Sequence, residues 1–254
     1  MTCIQLTICI SLAAALTACG GVSPEMRRRA QTRYELGAAM LQEGNEPGAL
    51  EALFQSVHAD PDNVDAHYLL GAVFLVRGDL EKAEQHLTKC LRLRPRYPEA
   101  QNTLGVVYIH QARYDEAITI LKKATADILY REPHVALGNL GWAYMEKGDS
   151  ALAVRALKRA VFLEPRFCVG HYRLGDAYFR RHEYDLATRS LESAVAVPDE
   201  ACQRLQDAFR LLGLSRMHLR DREAALTGFT KCRDIDPETP EGRECQTYVQ
   251  SLQQ

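Results

Sequence analysis

The sequence predicts an all-α superhelical solenoid of six helical hairpins stacked in a row and closed by a C-terminal capping helix. Three observations predict it. The dipeptide Leu-Gly recurs at Leu36-Gly37, Leu70-Gly71, Leu104-Gly105, Leu140-Gly141, Leu174-Gly175 and Leu212-Gly213, at successive spacings of 34, 34, 36, 34 and 38 residues. Thirteen positions after each Leu stands an alanine (Ala49, Ala83, Ala117, Ala153, Ala187, Ala225), and four further on a large apolar residue (Leu53, Leu87, Leu121, Leu157, Leu191, Phe229). A small or thiol residue then follows at Ser56, Cys90, Ala124, Ala160, Ala194 and Cys232, and Pro61, Pro95, Pro165, Pro198 and Pro237 close most units. A fixed period of this length marks a repeat architecture, in which one unit cannot bury its apolar face alone and a stack can.

Residues 1–18 stand outside the repeats. From Cys3 to Ala18 they are apolar or small and uncharged, too short for a bilayer span of roughly 20 residues but ample for the apolar region of a signal peptide. They end in Leu16-Thr17-Ala18-Cys19, the pattern that bacteria cut and lipidate at the cysteine. The expectation is a lipoprotein signal peptide over 1–18 and lipid attachment at Cys19, where two acyl chains at about 0.8 kcal/mol per buried methylene anchor stably. One departure is that Met1 to Ala18 contains no Lys or Arg, which signal peptides ordinarily carry at their start. Gly20 stands where an Asp would retain a lipoprotein in the inner membrane, so the predicted location is the outer membrane, facing the periplasm. Residues 19–29 read as a lipidated tether, with Arg27-Arg28-Arg29 able to touch anionic headgroups.

Residues 30–239 hold the six repeats. Glycine and alanine let two antiparallel helices approach closely, the large residue fills the gap between them, and proline stops the second helix before the next unit. Gly44-Asn45, Gly78-Asp79 and Gly148-Asp149 fall at the turn between helices, where glycine takes the left-handed cap conformation. From Pro240 to Gln254, Tyr248, Val249 and Leu252 recur at helical spacing among polar residues, which predicts a cap over the last repeat. This framework is similar to the tetratricopeptide repeat, whose stacks imply partner binding on a concave face built from the first helix of each unit. Counted from six residues before each Leu, the twelfth position holds Leu41, Leu75, Ile109, Met145, Phe179 and Met217. The fifth and ninth positions add Tyr34, Tyr68, Trp142, Tyr172 and Leu214. Aromatic anchors and methionine suit an extended or helical apolar segment; the competing reading is that some of these side chains complete the core.

The chain carries no G-x-S-x-G, no H-E-x-x-H and no G-x-x-x-x-G-K, and its eight histidines are scattered. The expectation is a non-enzyme with no cofactor, no metal and no small-molecule substrate. A net charge of −2 offers no general attraction to nucleic acid. Of eight cysteines, Cys3 and Cys9 leave with the leader and Cys19 takes lipid, leaving Cys90, Cys168, Cys202, Cys232 and Cys245, with no C-x-x-C among them. Cys232 and Cys245 fall on helices that should pack side by side. Cys168 and Cys202 fall near the start of consecutive first helices, whose axes lie about 8–10 Å apart while a disulfide needs Cα atoms within about 7 Å. The four-residue insertion before repeat six is where that approach could be made. Cys90 occupies a small-residue core position, as a buried thiol.

A lipidation signal followed by six such repeats and little else resembles the PilF/PilW family of type IV pilus lipoproteins, the pilotins. The likeness sharpens at the irregular junction of repeats three and four, in Arg113-Tyr114-Asp115-Glu116-Ala117 and in Ala124-Thr125-Ala126-Asp127-Ile128-Leu129-Tyr130-Arg131-Glu132, which leads into Asn139-Leu140-Gly141. Within the family, the length, the cysteines and the uncharged leader are most similar to the branch from social gliding myxobacteria. The resemblance implies a lipoprotein at the inner leaflet of the outer membrane that binds the secretin PilQ and promotes its multimerisation. The alternative is an adaptor lipoprotein that docks envelope hydrolases or outer-membrane insertion machinery on the same kind of scaffold.

Overall fold

Each Leu-Gly pair marks a place where two helices touch with no Cβ between them. In the computed structural model, which describes residues 22–253, six antiparallel hairpins follow one another: α1 (Pro24–Gln42) with α2 (Glu46–Ala59), α3 (Val64–Val76) with α4 (Leu80–Leu93), and α5 (Pro98–His110) with α6 (Tyr114–Ala126). They continue with α7 (Pro133–Lys147) and α8 (Ser150–Leu163), α9 (Cys168–Arg180) and α10 (Tyr184–Val195), then, beyond the short α11 (Glu200–Gln203), α12 (Gln206–His218) and α13 (Arg222–Ile235). α14 (Pro240–Gln253) packs on α13 and closes the stack. No strand occurs among the described residues, and the predicted signal peptide and Cys19 lie outside them.

A Cβ on Gly71 or Gly105 would stand 2.5 Å from Cγ of Leu87 or Leu121, and one on Gly141 2.4 Å from Cγ of Leu157. The large residue of each unit therefore occupies the space that glycine leaves. Leu53, Leu87, Leu121, Leu157, Leu191 and Phe229 are all fully buried, as are the six alanines four positions before them, and each large side chain contributes about 1.5–3 kcal/mol by leaving water. Ser56 holds the same small position in the first unit; its hydroxyl donates to the Ala30 carbonyl at 2.7 Å.

The turns inside the hairpins share one geometry. At Gly78 (φ 76°) the backbone closes with bonds from Gly78 N–H to the Leu75 carbonyl and from Asp79 N–H to the Phe74 carbonyl, and Gly44 (φ 77°) and Gly148 (φ 93°) repeat it. In the other three hairpins the same left-handed position is taken by Ala112 (φ 58°), His182 (φ 61°) and Arg220 (φ 62°). The reading of Gly-led turns thus holds for three hairpins, and the rest adopt the identical turn without glycine.

Other boundaries differ from the sequence reading. α1 begins at Pro24, so Pro24–Arg29 belongs to the first helix and not to a tether; Ser23 caps it by accepting from Met26 N–H, and Pro24 suits the first turn, where no donor is required. Between α6 and α7 no proline stands; Tyr130 instead tucks under the loop against Ala124 and Ala136, while Ile128 and Leu129 point outward, 95% and 84% exposed. Cys202 sits on α11 and not on the first helix of repeat six. That separate turn brings its Cα to 5.8 Å from Cys168, and the two are disulfide-bonded. Cys232 and Cys245 join α13 to α14 with Cα atoms 6.1 Å apart. Cys90 is a buried free thiol whose pKa burial pushes up to about 12.

Candidate concave binding face

The first helices α1, α3, α5, α7, α9 and α12 carry the residues predicted for the groove, and these divide in two. Ile109 and Met145 are buried, at 4% and 8% exposure, in one core cluster with Leu140, Tyr144 and Leu174. Their assignment to the groove is corrected: in mid-stack the twelfth position faces neighbouring apolar side chains and completes the core. Tyr34, Leu41, Tyr68, Leu75, Trp142, Tyr172 and Phe179 are part-buried, and Met217 is exposed. Leu41, Ala72, Val73 and Val76 line a shallow hollow between α1 and α3, and Val76 is 82% exposed. Apolar side chains left open in this way are where a partner's apolar residues gain burial.

Aromatic groups stud the face at intervals. Tyr68 packs on Tyr97 (ring centroids 5.1 Å), which lies under the Arg94 guanidinium at 4.9 Å, and Arg94 holds Asp65 at 2.9 Å. Toward the C-terminus Phe179 meets Tyr184 and His218 edge-on, at 5.7 and 6.0 Å.

Between them runs a polar ladder that the sequence reading missed. Asn139 Nδ2 donates to Asn102 Oδ1 at 2.8 Å, and Arg173 Nη1 donates to Asn139 Oδ1 at 2.8 Å, which links α5, α7 and α9. The Arg173 guanidinium lies 4.8 Å over the Trp142 ring, and His110 meets the same ring edge-on at 5.3 Å. Farther along, Tyr172 donates its hydroxyl to Asp207, which Arg210 holds at 2.6 Å while also reaching Glu244 on α14 at 3.5 Å. Burial raises the Tyr172 pKa, the Asp207 acceptor adding to it. Burial likewise raises the Asp176 carboxyl against the opposing pull of Arg180, and lowers the Arg173 guanidinium to about 10. A signal was present in the residues: the fifth and sixth positions are Tyr-Glu and Tyr-Leu in the first two units but Asn102-Thr103, Gly138-Asn139 and Tyr172-Arg173 in the next three.

Tetratricopeptide repeat models match residues 34–98 and 139–201 in one case, together half of the chain, and residues 74–128 in the other. The chain belongs to the tetratricopeptide repeat family. No curated protein matches it in sequence. Among solved structures, PilF of Pseudomonas aeruginosa is similar with a TM-score of 0.73 at 23% identity, over 88% of this chain and 99% of PilF. PilW, a widely conserved type IV pilus biogenesis factor, is similar with a TM-score of 0.76 at 19% identity, over 85% of this chain and 98% of PilW. Cut9-Hcn1 of the APC/C reaches the same TM-score at 19% identity over 89% of this tetratricopeptide chain, which spans 43% of the chain matched there. At these identities the likeness is one of fold, and function rests on the face the fold presents. Among the described residues no three His, Cys, Asp or Glu side chains converge as metal ligands, and no helix is long and apolar enough to cross a membrane.

Proposed function

We propose that this chain is a pilotin: an outer-membrane lipoprotein, anchored through Cys19 and facing the periplasm, that holds a segment of the secretin PilQ on its concave face. By doing so it promotes PilQ multimerisation for type IV pilus assembly and pilus-dependent motility, as in the social gliding branch of the family. The observation that supports the reading is the match with PilF and PilW, which covers 88% and 85% of this chain and nearly all of each of those chains. The hollow at Leu41 and Val76, the aromatic groups and the ladder supply a surface for an apolar segment with polar points of registry. The lipid raises effective concentration by confining the face to the membrane where secretin subunits arrive. No nucleotide is required, because the multimer is itself the stable product.

The test is deletion of the gene followed by detection of heat-resistant PilQ multimers on a gel. Loss of multimers, restored by the wild-type chain and not by Trp142→Asp or Phe179→Asp variants of unchanged helical circular dichroism, is the expected result. Normal multimers in the deletion strain would defeat the reading and turn attention to the adaptor alternative. Cys19→Ala should leave the stack folded and able to bind but cripple assembly at native expression levels.

A further inference from the structure

We infer that the edge of units three and four where α6 and α8 end is a membrane-contact surface: Ile128, Leu129, Phe162 and Leu163 enter the headgroup layer of an anionic phospholipid surface, and the lysines and arginines around them meet its phosphates. The inference rests on the anchoring through Cys19 proposed above and goes beyond it by stating which side of the stack lies on the lipid.

α6 and α8 are second helices that run the same way, so both end on the edge where first helices begin. Their end turns lie side by side, the His134 ring at the start of α7 meeting the Phe167 ring edge-on at 5.1 Å. Ile128, Leu129 and Phe162 are exposed by more than four-fifths and Leu163 by nearly half, so these two turns carry half of the large exposed apolar side chains of the described residues. Their outward aim is built into the turn. Tyr130 is buried beneath it against Ala124 and Ala136, and Leu129 N–H donates to Asp127 Oδ1 at 2.9 Å. A cluster of apolar side chains held outward in this way marks a contact surface.

Charge decides what covers it. Lys123, Arg131, Lys158, Arg159 and Arg166 stand around the four apolar residues, all exposed and, among the described residues, none in an ion pair. In the preceding unit, by contrast, Lys89 and Arg94 hold Asp62 and Asp65, while the exposed Arg92 and Arg96 extend the basic row. The acids of the two turns are engaged locally: Asp127 accepts from Leu129 N–H and Glu164 from Arg166 N–H at 3.0 Å, which leaves Glu132 as the exposed one. Apolar tips ringed by cations suit a phospholipid surface, where the tips sink to the boundary of headgroup and acyl chain and each cation is drawn to anionic lipid. A purely apolar protein segment would gain nothing from the cations. The start of the stack brings this edge within reach. α1 begins on the same edge at Pro24, five residues after Cys19, and five residues span at most about 17 Å. A lipid at Cys19 therefore keeps the edge near the bilayer and raises its effective concentration at the headgroups.

Trp142 is the single tryptophan of the chain, so the reporter can be moved. The full chain, purified from its own host and carrying Trp142→Phe with Phe162→Trp, is placed with phosphatidylethanolamine–phosphatidylglycerol vesicles whose acyl chains are brominated, and the wild type reports the groove. Expected are strong quenching of the Phe162→Trp chain, little quenching of the wild type, and loss of most of the difference in high salt, in phosphatidylcholine vesicles, or when Lys158→Gln and Arg159→Gln are added. Quenching of the Phe162→Trp chain no greater than that of the wild type, or indifferent to salt and headgroup, would overturn the inference. So would loss of PilQ capture in detergent by Ile128→Asp with Phe162→Asp, which would make the edge a protein-docking surface. The mass of the N-terminal peptide reads the anchor separately. A chain without lipid that still shows the anionic-vesicle quenching counts against anchoring at Cys19 and supports the edge; a lipidated chain without that quenching refutes the edge and leaves the anchor standing.

Discussion

Arg220→Gly should stabilise this protein although it removes a side chain and adds no contact. Arg220 is exposed and held at φ 62°, in the turn that Gly44, Gly78 and Gly148 make with glycine. A non-glycine residue pays about 1–2 kcal/mol in the left-handed region, while glycine gives back roughly 0.5–1 kcal/mol through the greater freedom of its unfolded chain. The difference is a gain of about 0.5–1 kcal/mol, or roughly 1–4 °C in melting temperature for a chain of this size. Ala112→Gly should behave alike, and the two should add because the turns lie in different repeats. His182→Gly gains less, since His182 Nδ1 lies 2.9 Å from the Tyr184 hydroxyl. The reverse change isolates the backbone: a Cβ on Gly78 meets nothing within 4 Å, so Gly78→Ala should cost about 1 kcal/mol through conformation alone. Urea unfolding followed by circular dichroism measures each change as a shift in midpoint at constant slope. A lower midpoint for Ala112→Gly and Arg220→Gly, or an unchanged one for Gly78→Ala, would refute the assignment of strain to these turns.

Three further outcomes follow from the same packing. Gly141→Ala drives a methyl into Leu157 and should cost about 1–3 kcal/mol; paired with Leu157→Ala the two losses should fall short of their sum, measured by a double-mutant cycle in urea. His86 lies against His67, with their Nδ1 atoms 2.9 Å apart, and burial, followed by the His67 charge, lowers its pKa to about 4. Its neutral form is therefore favoured in the fold: the unfolded chain takes up a proton as pH falls through about 6.5 while the folded chain does not, so up to roughly 3 kcal/mol of stability is lost between pH 6.5 and 4. His86→Phe should flatten that slope, and an unchanged slope would refute the assignment. Replacing Cys168 and Cys202 together by Ala opens a link spanning 34 residues, and should lower stability by about 3–4 kcal/mol on the loop-entropy model, read from thermal melts.

The stack was legible because its packing repeats. A Gly, an Ala and a large residue at fixed offsets are demanded by one helix crossing, and the demand recurs six times. The start of α1 was also legible, in Ser23-Pro24-Glu25, since a capping serine, a proline and an acid make up a helix entry; the apolar leader before it drew the boundary too late. Ala112, His182 and Arg220 carry no mark of a left-handed turn, because the flanking helices impose the conformation and the side chain only endures it. Ile109 and Met145 were misplaced because the face a twelfth position meets depends on how neighbouring hairpins sit, which spacing within one unit does not encode. The bond from Arg173 to Asn139 escaped notice for the related reason that spacing within one unit does not show which side chains of α7 and α9 meet.

Among the described residues both disulfides lie beyond residue 167, joining Cys168 to Cys202 and Cys232 to Cys245, and α1 to α8 have none. In a stack where each unit leans only on its neighbours, this grades the molecule mechanically. Tension applied at the N-terminal end would peel hairpins away from α1 and α2 inward and stall at the cross-linked units, so that the distal repeats and the cap outlast the proximal ones under load. A force-extension trace should show several low rupture events followed by a shortened final release, and reducing agent should lengthen that last step.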